Sequence, residues 1–505
     1  MIRLLESRAL LLGGVFAFLL SNVGISRLQA EDVSPRSDSL VAEIKGRVET
    51  MAARVEKRFA ELPVESDVSR YESLVRSHSW KEVWPDEKGQ PSEREVTAGV
   101  WNAAVQAALD ATGSVFLPER DTPYYFDAPI VLKSGQRFVA SPKAEIRLKP
   151  GVNSCLLRNE RVVAFREGPV PDDLIPDTDI LVEGGIWTTL NFGPGMENGN
   201  VRGHTATEGY VVGCHGVILL QNIRGVVVRD LTIRQSRAFG VHIGNGTEFL
   251  VENIKFEDHG RDGVHVMGAS RFAIVRDISG TLRDDPVALN AWDWQQYAPV
   301  WGPIHHVLVE KIRGAPLEAE STDSIRLLPG VKQFPDGGTV ECDLHDIVIR
   351  KVEDIRDFKL YNQPNLESGR DKDFSAGLGR AENIFLEDIV LTRPGSLQVH
   401  AEVTGLTVRD VSLNFSPDPA FRFIEIGPKS QTYKHGSDDP ARWVEIFSPD
   451  LDCTVRDLSI SGIRVAGSAE ELPMDRVVRE IIQKPNPDYP KTTPGGGTGR
   501  GIWIR

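Results

Sequence analysis

The chain has 505 residues, 40% of them hydrophobic and 26% charged, which suits a large folded core and argues against global disorder. Its formal net charge of -14 argues against nucleic acid as a partner, because a phosphate backbone needs a basic surface. A polyanionic glycan is not excluded by that charge, since a local basic cleft can exist on an acidic protein.

In chain order, Arg3 and Arg8 precede an apolar run from Ala9 to Leu20, and Leu28-Gln29-Ala30 offers a cleavage site before Glu31. Residues 1–30 therefore read as a secretory signal peptide; the alternative is a membrane anchor, for which the run is short. The expectation is a secreted or periplasmic protein with no membrane contact once the signal is removed. Residues 31–95 are expected to form a helical segment and linker, with a helix over 38–62 that lines up Val41, Ile44, Val48, Met51 and Val55. A second helix is expected from Val100 to Ala111, opened by Thr97, closed by Gly113 and capping the open end of a strand-rich array. Cys155, Cys214, Cys342 and Cys453 are widely spaced with no CxxC pair, so no zinc site is expected. They are open to disulfide pairing or to a role as buried single thiols.

From about residue 180 a unit repeats: apolar-x-(Asp, Asn or Lys)-apolar-x-(apolar or small). It starts at Val228, Val251, Val275, Val309, Leu386, Val408 and Val455. The shorter intervals are 22 to 24 residues, and the β-branched alternation suits one coil of a parallel β-helix. The leucine-rich repeat, of similar period, lacks support because no helical segment follows each strand. The expected fold is all-β: a right-handed parallel β-helix over 96–468, followed by an irregular tail over 469–505.

A second strand follows each unit, and four of these share one register: Phe239–Ile243, Asp262–Val266, Asp285–Leu289 and Asp323–Leu327. The third and fifth positions are aliphatic and should face inward. The fourth position stacks His242, His265, Ala288 and Arg326, and the first stacks Phe239, Asp262, Asp285 and Asp323. With Asp284 beside Asp285, the residues Asp262, Asp284 and Asp285 should lie within one coil of each other, and such crowding raises at least one pKa. That is the requirement of glycoside hydrolysis, a protonated acid paired with an ionised base. Aspartates that merely satisfy backbone groups at turns are the alternative.

The stretch from Val115 to Gly330 resembles the family-28 glycoside hydrolases, the polygalacturonases and their relatives, within the pectin-lyase-like superfamily. The residues that carry the resemblance are Arg261-Asp262-Gly263, where that family has Asn-Thr-Asp-Gly, then Asp284-Asp285, then Ser324-Ile325-Arg326. The resemblance implies Asp284 as general acid, Asp262 and Asp285 as the pair that holds and deprotonates water, and an inverting reaction. Two departures stand out. The family's Gly-His-Gly coil has no room between Asp285 and Asp323, and Leu328 stands where a lysine is expected, which puts recognition of a galacturonate carboxylate in doubt.

In place of that coil lies Asn290-Ala291-Trp292-Asp293-Trp294, followed by Tyr297, Trp301, His305 and His306. Trp292 and Trp294 are expected to offer indole faces to sugar rings, or else to pack as a loop on the barrel. His265, Arg326, Asp293 and His306 complete the expected substrate-binding set, and the loop Asn191 to Thr207, with Arg202 and His204, is expected as a cleft wall. The reading is thus a secreted hydrolase acting on a polysaccharide or oligosaccharide, without cofactor or metal. A Ca²⁺-dependent polysaccharide lyase on the same fold and a non-catalytic glycan-binding β-helix are the competing functions. Sugar, linkage, exo or endo action and oligomeric state are left open.

Overall fold

The computed structural model describes residues 34–504, apart from 86–89, 153, 163–170, 172, 190–215, 237, 294–299, 316–323, 335, 362–378, 428–429, 434–443, 448–452 and 482–501. The signal segment, Cys214, Trp294, Tyr297, Asp323, the loop Asn191 to Thr207 and residues 482–501 of the tail lie outside the described residues. Among those described, no helix is long and apolar enough to cross a membrane.

The chain winds as a right-handed parallel β-helix. Each coil has three strands whose alternate aliphatic side chains face inward. On one face Val241, Val264, Val287, Ile325, Phe358, Leu397 and Ile424 stack coil upon coil. On the second face the stack runs Val228, Val251, Val275, Val309, Ile349, Leu386, Val408 and Ile460. All of these residues but the partly buried Ile460 belong to one continuous buried core, and backbone hydrogen bonds hold neighbouring coils about 4.8 Å apart.

The polar residue inside the repeat unit is explained by the corner it occupies. Asp230, Asn253, Asp277, Lys311, Lys351, Asp388 and Asp410 all have φ between 53° and 61°. Each makes the left-handed bend from second to third strand, a conformation that Asn and Asp tolerate better than most side chains. A matching ladder at the first corner contains Asp179, Glu248, Phe272, His306, Asp346, Asn383 and Asp457, again with positive φ. One expected alignment is shifted: Val455 pairs with Val403, and Ile460 pairs with Val408. Asp457 therefore turns the first corner, and Gly462, with φ 69°, turns the second.

Helix α1 (Ser34–Arg58) lies along the second face. Val41, Ile44, Val48, Met51 and Val55 pack on the outward row Leu181, Val227, Leu250, Ile274, Leu308, Val348 and Phe385. Beside that row runs a column of alternating charge: Glu183, Arg229, Glu252, Arg276, Glu310, Arg350, Glu387 and Arg409. Glu49 of α1 joins it 2.7 Å from Arg276, and Lys45 joins it 2.8 Å from Glu310. The end cap is α2 (Asn102–Thr112), which buries Ala104, Val105, Ala108 and Leu109 in the core. Its boundary corrects the expected start: Thr97 belongs to the second strand of an antiparallel hairpin, Arg76–Pro85 with Pro91–Val100, and Trp101 precedes the helix. The stretch between α1 and α2 thus contains a strand hairpin. Cys155, Cys342 and Cys453 are all buried, and Cys342 and Cys453 are free thiols.

Candidate active site

Four consecutive strands of the first face build the site: β1 (Val264–Met267), β2 (Val287–Asn290), β3 (Ser324–Leu328) and β4 (Asp357–Tyr361). Strand β2 pairs directly with β3, so no further coil intervenes between Asp285 and Arg326, as the residue spacing requires. The outward row runs His242, His265, Ala288, Arg326 and Lys359 in register. Asp262 and Asp285 stand at the starts of consecutive coils, where the amide of Gly263 donates to the carbonyl of Asp285 at 2.9 Å. Glycine is required there, because a Cβ at Gly263 would come within 2.7 Å of the Pro286 carbonyl oxygen.

Asp262, Asp284 and Asp285 converge, each offering a carboxylate oxygen within 4.8 Å of the others. Asp285 is fully buried and lies between two cations, with Arg326 Nε at 3.3 Å and Lys359 Nζ at 3.4 Å. The single methyl group of Ala288 leaves space for both long side chains to reach back along the stack. Burial pushes the Asp285 carboxyl up, against the opposing pull of Arg326 and Lys359. Asp284 is the exposed member, with 31% of its side chain accessible and Arg261 Nη1 at 3.6 Å. Desolvation and the neighbouring Asp262 raise its pKa to about 6, while Arg261, Arg326 and Lys359 restrain the rise.

His265 is the buried hinge of the cluster. Its Nδ1 lies 2.7 Å from Asp262 Oδ2 and its Nε2 lies 3.1 Å from Asp293 Oδ2. Phe239 stacks on the ring at 3.9 Å. Burial alone would lower the His265 pKa, but the two carboxylates outweigh it and raise the value to about 9, so the ring is an imidazolium at neutral pH. Asp293 is positioned by Asn290 Nδ2 at 2.9 Å, and its carbonyl accepts from the indole of Trp301 at 3.1 Å.

The expected site residues therefore divide. Asp262, Asp284, Asp285, His265, Asp293 and Arg326 come together. Trp292 is corrected: it is 1% exposed and packed in the core, so its indole presents no face to a sugar. His306 is also corrected. It turns the first corner beneath α1, with Glu43, Asp346 and Phe272 as neighbours. Lys359 is the residue missed by sequence reasoning. Arg356-Asp357-Phe358-Lys359-Leu360 matches the five-residue register, with aliphatic or aromatic third and fifth positions, and would have revealed it.

No protein-family model matches the chain, and no curated protein matches it. Solved structures do align with it. The surface adhesin PfbA of Streptococcus pneumoniae is 13% identical, with a TM-score of 0.34, over 85% of this chain and 99% of that one. A hyperthermoactive exopolygalacturonase from Thermotoga maritima is 11% identical, with a TM-score of 0.39, over 83% of this chain and 97% of that one. An iota-carrageenase complexed to iota-carrageenan fragments is 11% identical, with a TM-score of 0.40, over 78% of this chain and 90% of that one.

Proposed function

We propose that the chain is a secreted glycoside hydrolase of the family-28 type that cleaves a polysaccharide or oligosaccharide by acid–base catalysis. The observation that carries the reading is the division of labour among crowded carboxyls: one half-exposed and raised to about 6, one held against an imidazolium, and one buried between two cations. Asp284 faces solvent and holds its proton up to about pH 6, so it protonates the departing glycosidic oxygen. Asp262, held 2.7 Å from His265 Nδ1, accepts the proton of the attacking water. Asp285, locked by Arg326 and Lys359, fixes the position of both.

The charge balance favours hydrolysis over a Ca²⁺-dependent lyase. The carboxylates of Asp262, Asp284, Asp285 and Asp293 are matched by Arg261, Arg326, Lys359 and protonated His265, each within 3.6 Å of one of them. A divalent cation placed among the aspartates would meet four positive groups. Arg326 and Lys359 are both engaged with Asp285, which favours a neutral glycan over a uronate. The test is incubation of the purified protein with a panel of plant and algal glycans, with and without EDTA, against Asp284→Asn. New reducing ends that resist EDTA and vanish in the variant are expected. An unsaturated, ultraviolet-absorbing product that requires metal would establish the lyase. Glycan binding without any product, equal in both proteins, would establish the binding protein.

A further inference from the structure

His305, His306 and His345 form a second cluster of chemistry-bearing side chains, on the first corner beneath α1. The three histidines each offer a ring nitrogen within 4.8 Å of the others. The Nδ1 atoms of His305 and His306 are 3.0 Å apart. His345, on the next coil, stacks on His305 with ring centres 4.5 Å apart and planes 6° from parallel. Asp346 closes the group: its Oδ2 lies 2.8 Å from His345 Nδ1 and 3.7 Å from His306 Nδ1. Its other oxygen accepts from Asn383 Nδ2 at 2.8 Å, which fixes the carboxylate. His306 is 20% exposed and His345 35% exposed in their side chains, so an ion can reach them.

We propose that His305, His306 and His345, with Asp346 as their outer carboxylate partner, bind one borderline divalent transition-metal ion, with zinc or nickel as the class. Imidazole nitrogens suit these ions, and adjacent nitrogen ligands about 2.1 Å from one zinc ion stand about 3 Å or slightly more apart. The His305–His306 spacing is of that size. A carboxylate hydrogen-bonded to a ligating imidazole is the usual outer partner of such a site, and Asp346 is so placed. Arg271 also faces His305, and Glu43 of α1 lies 3.7 Å from His306 Nε2. The ion would join two successive coils directly beneath α1, and binding to the folded state alone would stabilise it.

The test uses tag-free, chelator-stripped protein titrated calorimetrically with zinc sulfate and then nickel sulfate. One equivalent is expected for the native chain. Affinity should fall at least tenfold in both His305→Ala and His345→Gln, and stay unchanged in Asp284→Asn. A cobalt-loaded sample should show ligand-field absorption that disappears in the same two histidine variants. Circular dichroism without metal is read beside it, so that His345→Gln decides if His305→Ala misfolds. No uptake by the native chain, uptake indifferent to both histidine variants, or uptake lost only in Asp284→Asn would each overturn the proposal.

Discussion

Lys359 reaches back two coils to place its ammonium group 3.4 Å from Asp285. It stands on the coil after Arg326, and the two cations close on opposite oxygens of one buried carboxylate. Removing one partner of a buried pair leaves the other charges mismatched, at a typical cost of about 3–5 kcal/mol. Lys359→Met should lower kcat on the order of a hundredfold, with Lys359→Arg recovering part of the loss. Full turnover by a folded Lys359→Met protein, checked by circular dichroism, would remove Lys359 from the machinery.

The pH profile follows from Asp284. A general acid must carry its proton, so activity should fall as pH rises through about 6. Arg261 holds that pKa down through its charge. Arg261→Met should therefore move the alkaline limb of kcat to higher pH. A limb that stays in place, or moves to lower pH, would show that the limb belongs to another group.

How much was legible in the sequence can be judged from particular residues. The register of His242, His265, Ala288 and Arg326 was readable because alternate aliphatic positions leave one in-phase alignment, and a slip by one residue would turn them outward. Lys359 was obscured by a long insertion before its coil, and by the expectation that a lysine would come from the strand of Arg326 itself. Trp292 and Trp301 look in sequence like sugar platforms, but whether an indole in a loop faces solvent or the core depends on packing. Here both are buried, and Trp301 serves Asp293. The side placement of α1 was hidden for a related reason. Its apolar stripe was plain, whereas its docking partners, Leu181 to Phe385, are single outward residues on seven separate coils.

His265 links the site to stability. Its folded pKa of about 9 lies above the ordinary value of 6.5. The protonated form therefore contributes stability that is full below pH 6.5 and is lost as pH rises through about 9, a shift worth about 3 kcal/mol. Asp293→Asn removes one of the carboxylates that raise the value. The melting temperature of the native chain should decline between these pH values, and in Asp293→Asn that decline should start at the same pH but level off at a lower one. Superimposable pH dependence of the two proteins would mean that His265 is not the group responsible.

Helix α1 supplies the last test, because it is held by side-chain contacts to the sheet and not by strand pairing. Ile44 is fully buried against the outward row, and its truncation to alanine should cost about 2–5 kcal/mol. The pair of Glu49 with Arg276 flanking that stripe is only partly buried, and exposed pairs contribute little. The loss in Ile44→Ala should therefore appear as local release of α1, with faster amide hydrogen exchange over 34–58 and little change in the coils around Asp262. Glu49→Gln should leave exchange in the helix nearly unaltered. If Glu49→Gln frees α1 as readily as Ile44→Ala, then the alternating charge column, and not the apolar stripe, holds the helix in place.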